Sequence, residues 1–309
     1  MKILVTGSNG LVGRELVRRL RDDGHHVEGF DLFPPANEPA RDIRDVEALR
    51  GAIAGCDGVY HLAAVSRVGW GEADPDACAQ VNVDATALLV AEMAAAGAPW
   101  LVFASSREVY GDADVALVRE SAPIAPVNAY GRSKADAEKV VDAARARGLR
   151  ASIVRLSNVY GTVNDHPDRA VPALLWRALH GLPIELTGAA SYFDFVHVDD
   201  SVEGLVRAGD RLAKGSAAVP TVHLATGVAT SLETLAKAVI KLCGSPSTVR
   251  LVPARTFDVS GFCGDPTQAG HVLDWRAKVT LDEGLARLRV AMIARGSALT
   301  VPQRPAVLP

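Results

Sequence analysis

Cysteine is scarce and unpatterned in this 309-residue chain: Cys56, Cys78, Cys243 and Cys263 have neither paired nor metal-ligand spacing. A disulfide framework and a cysteine-based metal centre are set aside, and reduced thiols in a cytoplasmic protein are expected. Charge of either sign is not in excess. The formal net charge is -3 with 22% charged residues, and this mild acidity argues against a nucleic-acid partner, which would show a basic patch. No apolar run reaches membrane-spanning length, and no signal peptide precedes the strand-like Lys2-Ile3-Leu4-Val5. No internal repeat is visible. What remains is a soluble globular composition, 49% hydrophobic, with length for one large domain or a large domain carrying a smaller lobe.

The N-terminal half alternates apolar runs with helical patterns. Lys2 to Thr6 is short enough for a buried parallel strand. It runs into Thr6-Gly7-Ser8-Asn9-Gly10-Leu11-Val12-Gly13 and a helix to about Asp23. The glycines fall as G-x-x-G-x-x-G. Gly7 permits a tight turn, Gly10 lets backbone approach a pyrophosphate, and Gly13 lets helix and strand pack closely. The helix N-terminus then offers free N–H groups to phosphates. A second strand, His26 to Phe30, ends in Asp31. A carboxylate there accepts hydrogen bonds from both hydroxyls of an adenosine ribose and repels a 2′-phosphate, which favours NAD over NADP.

Arg41-Asp42-Ile43-Arg44-Asp45 is expected to open the next helix. Gly58 to Leu62 reads as the third strand, with small Ala63 and Ala64 leaving room at the sheet edge, where open α/β sheets bind ligands. His61 is read as a strand residue with a satisfied ring in preference to a general base. A long helix is expected from about Asp74 to Ala96, carrying Asn82, followed by a strand from Trp100 to Ala104. Ser105-Ser106-Arg107-Glu108-Val109-Tyr110-Gly111 then offers hydroxyls at a strand end. Glu108 is either a carboxylate base or half of a solvated charge pair. The helix Asn128 to Arg147 carries Tyr130-Gly131-Arg132-Ser133-Lys134, and Ala151 to Leu156 is the fifth strand, ending in Ser157-Asn158-Val159-Tyr160-Gly161.

Tyr130 and Lys134 lie one helical turn apart on one face. An ammonium beside a phenol favours the phenolate, so the tyrosine's pKa is expected to fall toward neutral and to suit it to taking a proton from a sugar or alcohol hydroxyl. On an exposed helix such spacing is common by chance. The glycine loop and the Ser-Ser-x-x-Val-Tyr-Gly segment upstream give it weight.

From Thr162 the alternation loosens. Helices are expected over Val171 to His180, Asp199 to Leu212 (capped by Asp199 or Asp200), Ser231-capped to Cys243, near Pro266 to Leu273, and Leu281 to about Arg295. Strands are expected at Ile184 to Leu186, Phe193 to Val198, Val222 to Ala225 and Val249 to Val252. Gly296 to Pro309, proline-punctuated, is expected to be an extended or disordered tail.

Taken in order, TGSNGLVG (6–13), Asp31, Asp42-Ile43, YHLAA (60–64), VNVDAT with Asn82, SSREVYG (105–111), YGRSK (130–134), RLSNVYG (155–161), FDFVHVDD (193–200) and DWRAKVTLDEGL (274–285) resemble the extended short-chain dehydrogenase/reductase family, in its nucleotide-sugar epimerase/dehydratase branch. The resemblance implies a Rossmann-type doubly wound parallel sheet with a smaller C-terminal α/β substrate lobe. Residues 1–161, with a returning strand near 221–226, would bind NAD, and 162–295 would mainly bind substrate. It implies that Gly7, Asn9, Gly10, Leu11, Val12, Gly13, Asp31, Asp42, Ile43, Leu62, Ala63, Ala64 and Asn82 meet the cofactor, together with Tyr130 and Lys134. Ser106, Tyr130 and Lys134 would be catalytic. Ser106, Arg107, Glu108, Asn158, Val171 and Arg255 would meet a nucleotide sugar. No metal is implied, and relatives often form homodimers through the two long alanine-rich helices.

Two departures stand out. Sugar 4,6-dehydratases of this family carry an Asp-Glu pair after the active-site threonine; here it is Arg107-Glu108, so the acid is missing. The family's diphosphate-binding arginine is replaced by Phe193. Either another cation (Arg255, Arg169 or Arg177) compensates, or the substrate is not an ordinary nucleotide diphosphate sugar. The expected activity is C4 epimerisation of a UDP-hexose through a 4-keto intermediate. The alternatives are a dehydratase, decarboxylase or ketoreductase on the same core, and a non-catalytic NAD sensor.

Overall fold

Alternate residues of the first strand, β1 (Lys2–Thr6), leave it on opposite sides, as a strand's period of two requires. Ile3 and Val5 enter one core and Leu4 another, all fully buried. Such two-sided burial is what a parallel sheet covered by helices on both faces demands. In this computed structural model, residues 1–36, 38–113, 115–216, 219–253 and 257–296 are described.

The central sheet has six parallel strands in the order β2-β1-β3-β4-β5-β9. They are β2 (His26–Phe30), β3 (Gly58–His61), β4 (Trp100–Ser106), β5 (Arg150–Leu156) and β9 (Val222–Leu224), with β1 inside. On one face, helices α1 (Leu11–Asp22) and α8 (Val198–Ala213) pack Leu16, Leu20, Leu205 and Leu212 onto Val5, Tyr60 and Val102. On the other, α2 (Val46–Ile53), α5 (Ala85–Ala96) and α6 (Ala129–Ala146) pack Leu49, Ile53, Leu89, Met93 and Val141 onto Leu4, Val59, Leu101 and Ile153. The chain turns from β1 to β2 on one side and to β3 on the other. The crevice between them, at the strands' C-terminal ends, is a topological switch point.

Beyond β5, the short strand β6 (Asn158–Tyr160) pairs with β8 (Tyr192–His197), which also pairs with β10 (Ala229–Ser231). A two-stranded ribbon joins β7 (Ile184–Thr187) and β11 (Val249–Val252). With α7 (Ala170–Leu179), α9 (Leu232–Cys243) and α11 (Leu281–Arg295), these elements enclose a third core around Leu175, Ile184, Leu235 and Leu288. The short α10 (Thr267–Leu273) lies against α8 and β9.

Three local expectations are corrected. Asp42 and Ile43 precede α2 instead of opening it: Asp45 is the cap, its carboxylate accepting from the N–H groups of Glu47 and Ala48. The cap of α8 is His197, whose Nδ1 accepts from the Asp199 N–H at 3.2 Å, and not Asp199 or Asp200. Asp200 turns inward and accepts from the N–H groups of Lys278 (3.0 Å) and Val279 (2.9 Å). The predicted helix from Asp74 to Ala96 is α4 (Pro75–Ala79), a π-helical turn at Gln80–Asp84, and α5, while an unforeseen α3 (Val68–Ala73) precedes it. Gly296 ends α11, and the rest of the tail expectation lies outside the described residues.

Candidate active site

The crevice at β1 and β3 is built by close approach. Gly7 has φ +67°, and a Cβ there would lie 2.6 Å from the Ala63 nitrogen. At Gly13 a Cβ would lie 2.0 Å from the Gly7 carbonyl oxygen. Any side chain at either position closes the turn between β1 and α1. The Leu62 N–H donates to the Thr6 carbonyl (3.1 Å) and the Ala63 N–H to the Thr6 hydroxyl (3.2 Å), so 62–64 runs beside the loop. Asp31 fastens the opposite wall: its carboxylate accepts from the N–H groups of Asn9 (2.7 Å) and Phe33 (2.8 Å). Gly7, Asn9, Gly10, Leu11, Val12, Gly13, Asp31, Leu62, Ala63 and Ala64 therefore converge on one cleft, headed by the N-terminus of a twelve-residue helix. A loop without side-chain bulk, a helix N-terminus and a carboxylate at the end of β2 fit a dinucleotide. Asp42 holds a salt bridge to Arg44, which keeps its carboxyl below the usual range, and Ile43 is buried beside Phe30 and Leu49.

His61 is a structural residue. Its ring is fully buried between the hydroxyls of Thr6 (Nδ1, 2.7 Å) and Thr86 (Nε2, 2.9 Å), and burial pulls its pKa down to about 3. Asn82, expected at the cofactor, spends its amide on protein. Its Oδ1 accepts from the Val65 N–H (2.8 Å), and its Nδ2 donates to the Val65 carbonyl (3.1 Å) and the Ser133 hydroxyl (2.9 Å). It sits in the π turn, a deformation frequent at functional sites. The extra residue per turn there carries the amide to the loop after β3.

Ser106 and Tyr130 meet across the cleft. Ser106 ends β4 and its hydroxyl caps the 3-10 turn Arg107–Tyr110. Tyr130 lies in the first turn of α6, whose cap is Asn128. Burial pushes the Tyr130 phenol up to about 12; a hydrogen bond with Ser106 draws it down, Glu108's charge raises it, and Arg169's charge lowers it. The expectation of a phenol made acidic by its lysine is thus corrected for this structure. The Lys134 ammonium donates to the Ala104 carbonyl (2.9 Å) and lies 4.9 Å from the Phe103 ring centre, and burial lowers it to about 8. Its charge is spent on the strand end instead of the phenol.

Arg107 and Glu108 are not a solvated pair. Both are nearly buried, with Nη2 to Oε1 at 2.6 Å. Glu108 also accepts from Asn128 Nδ2 (2.8 Å). Arg107 Nε donates to Asn158 Oδ1 (2.7 Å), and its guanidinium carbon stands 4.6 Å from the Phe193 ring centre. The arginine missing at 193 is faced by one at 107. Of the other cations considered, Arg169 pairs with Asp165 (3.3 Å) within reach of the phenol's field. Arg177 donates to the Pro183 carbonyl (2.7 Å). Arg255 lies outside the described residues. Val171 lies in the lobe core and is 2% exposed.

Sequence reasoning missed the support beneath. Glu138, one turn past Lys134, takes a bidentate pair from Arg155 (Nε 2.9 Å, Nη2 2.6 Å) and a hydrogen bond from Ser105. Arg155 also donates to Tyr110 Oη, whose hydroxyl bonds His223 Nε2 (2.6 Å). The i, i+4 step from Lys134 to Glu138 was the available signal.

The model of the NAD dependent epimerase/dehydratase family matches residues 3–219. The chain is 33% identical over 308 residues to a UDP-glucose 4-epimerase of Mycolicibacterium smegmatis, covering 93% of this chain and 97% of that one. It superposes on MoeE5 solved with UDP-glucuronic acid and NAD (TM-score 0.88, 30% identity) and with UDP-glucose and NAD (TM-score 0.87, 31% identity). Each comparison covers 96% of this chain and 99% of MoeE5. A match spanning both the sheet and most of the lobe is far more than a shared nucleotide fold, and the chain belongs to the NAD dependent epimerase/dehydratase family.

Proposed function

We propose that this chain is an NAD-dependent UDP-sugar epimerase that inverts C4 of a sugar of the hexose series. The observation that carries the reading is the meeting of Ser106 and Tyr130 at the C-terminal edge of the sheet, next to the side-chain-free cleft of Gly7 and Gly13. Residues 1–161 with β9 hold the cofactor in this reading, and 162–295 hold the sugar nucleotide. The backbone of 7–13 and the α1 N-terminus receive the pyrophosphate, and Asp31 receives the adenosine ribose. Held by these residues, NAD would supply the hydride-accepting and hydride-returning chemistry at C4.

The chain's own residues manage the proton. Ser106 Oγ and Tyr130 Oη both hydrogen-bond the C4 hydroxyl oxygen. Tyr130 takes that proton as the carbonyl forms and gives it back after the 4-keto sugar has turned in the pocket. In the free chain the phenol is protonated, so the base form requires cationic charge beside it. Arg169 already exerts that pull, and Lys134 supplies more when its ammonium leaves the Ala104 carbonyl. Glu108 is held by one contact on each oxygen, from Arg107 and Asn128, and Arg107 stands where a dehydratase keeps the acid that protonates the leaving hydroxyl. The reading therefore favours epimerisation over that alternative.

A homodimer and a cytoplasmic location belong to the same reading. A groove of about 520 Å³ runs between α5 and α6, lined by Ala87, Ala91, Ala94, Val140 and Ala144, and it suits close helix packing. All four cysteines are free, and no described helix is long and apolar enough to cross a membrane. The functional test is purified protein with UDP-glucose or UDP-galactose and no added cofactor, followed by chromatography. Interconversion supports the reading. Loss of water or CO2 from the product, or consumption of added NADH, replaces it with one of the alternatives.

A further inference from the structure

We infer that a pocket on the outer face of α7 binds a small organic amine, separately from the cleft of Ser106 and Tyr130. The inference does not depend on which reaction that cleft performs.

The helix turns two faces to different surroundings. Val171, Leu174, Leu175 and Ala178 fall at i, i+3, i+4 and i+7 and close the lobe core. Pro172, Ala173, Trp176 and Arg177 fall on the opposite side of the helix and line a pocket of about 300 Å³. The rest of the lining comes from the loop after β6, which includes Asp165 and Asp168, and from Met292 of α11. Neither Ser106, Tyr130 nor Asn158 lines it, and no residue of the glycine loop does.

The walls are apolar except at one place. Pro172, Ala173, Trp176 and Met292 offer hydrocarbon and an indole, and His180 braces that indole with its ring centre at 4.5 Å. Asp165 stands in this setting with its side chain 1% exposed. Its Oδ1 accepts from the His166 N–H (2.8 Å) and from Arg169 Nη1 (3.3 Å). Its Oδ2 is buried and has no hydrogen-bond partner. Burial pushes this carboxyl above the usual range. The neighbouring charges are engaged elsewhere: Asp168 pairs with Arg67 (2.6 Å), and Arg177 donates to the Pro183 carbonyl (2.7 Å). A buried acceptor left empty is costly, so a donor delivered through the pocket is stabilised there.

These features select the ligand. An anion meets two carboxylates. A hard metal ion wants several oxygen ligands, and among the described residues no group of three or more His, Cys, Asp or Glu stands together to hold one. A neutral hydrocarbon fills the walls and leaves Oδ2 unpaired. An ammonium on a flat apolar body satisfies both: its N–H groups make charge-assisted bonds to Oδ2, and its body packs on the indole, whose ring face also attracts a cation. The volume equals that of about ten liquid waters, which suits one ring with a short amine arm.

The probe is benzylamine, with benzyl alcohol and benzoate as charge controls, titrated by calorimetry into NAD-loaded protein with and without saturating UDP-glucose. Benzylamine should bind saturably with a Kd below about 1 mM. Benzyl alcohol and benzoate should bind about tenfold more weakly or not at all, and UDP-glucose should leave the benzylamine constant unchanged. Asp165→Asn should weaken benzylamine by about tenfold or more. Ala173→Leu, which fills the apolar wall, should abolish binding. Melting temperature and NAD content are checked for each variant, and if Asp165→Asn does not fold, Ala173→Leu and the two controls decide. No saturable binding of benzylamine, equal binding of benzyl alcohol, or displacement of benzylamine by UDP-glucose overturns the inference. None of these results bears on C4 exchange, which is measured separately.

Discussion

Replacing Asn82 by alanine tests whether the π turn exists to hold the cleft wall. The amide satisfies both polar groups of the Val65 backbone and the Ser133 hydroxyl, all in buried surroundings. Val65 is 2% exposed, so its N–H finds no solvent when Oδ1 is removed. An unsatisfied buried donor costs about 1–3 kcal/mol, and each further net hydrogen bond contributes about 1 kcal/mol. Asn82→Ala should therefore lose about 3 kcal/mol of stability. The same change frees the 63–66 segment that lines the cleft, so NAD affinity should fall with it. Urea unfolding at unchanged m-value gives the first quantity, and calorimetric titration with NAD gives the second. Asn82→Asp keeps the acceptor but loses both donors and buries a charge, so it should be no better than alanine. A loss under about 0.5 kcal/mol, the size of an ordinary surface substitution, would refute the reasoning.

Three further outcomes follow from the geometry. Gly13→Ala should cost about 1–3 kcal/mol or more and strip bound NAD, because its Cβ meets the Gly7 carbonyl at 2.0 Å. Gly51→Ala, on an open stretch of α2, should leave NAD content unchanged. Arg155→Met should cost about 3–5 kcal/mol, since Glu138 is left buried and unpaired, while the double variant Arg155→Met with Glu138→Leu should lose less than the sum of its parts. A double-mutant cycle by urea unfolding reads this directly. For Lys134, burial lowers the folded-state value to about 8 from 10.5. Between those values only the unfolded chain is protonated, so wild type should gain stability relative to Lys134→Met as pH rises through that window, with no change below it. Urea midpoints across the window check the sign.

The local parts of the site were legible because they are set by neighbours in sequence. A glycine every third residue after a short strand, a carboxylate at the end of the next strand, and two side chains four apart on a helix all act within one turn or loop. The two-sided burial of the strands was equally visible in their unbroken apolar runs. What escaped involves residues far apart in the chain. Lys134 reaches a carbonyl 30 positions upstream, and Arg107 meets Asn158, 51 positions on. Nothing periodic announces either contact, and burial of the phenol, equally unannounced, raised Tyr130 where acidity was expected. The π turn was invisible for a different reason: alanine-rich sequence keeps helical propensity whether or not an extra residue is inserted. The α8 cap was assigned to an aspartate by propensity, but Asp200 is drawn inward by two backbone N–H groups that only the packed lobe supplies.

The central claim, that Tyr130 handles the C4 proton, is tested most directly by Tyr130→Phe in NAD-loaded protein. The account predicts that C4 exchange of the UDP-sugar falls by about 10²–10⁴, with NAD content and sugar-nucleotide affinity close to wild type. A phenylalanine variant that exchanges C4 at the wild-type rate would contradict it.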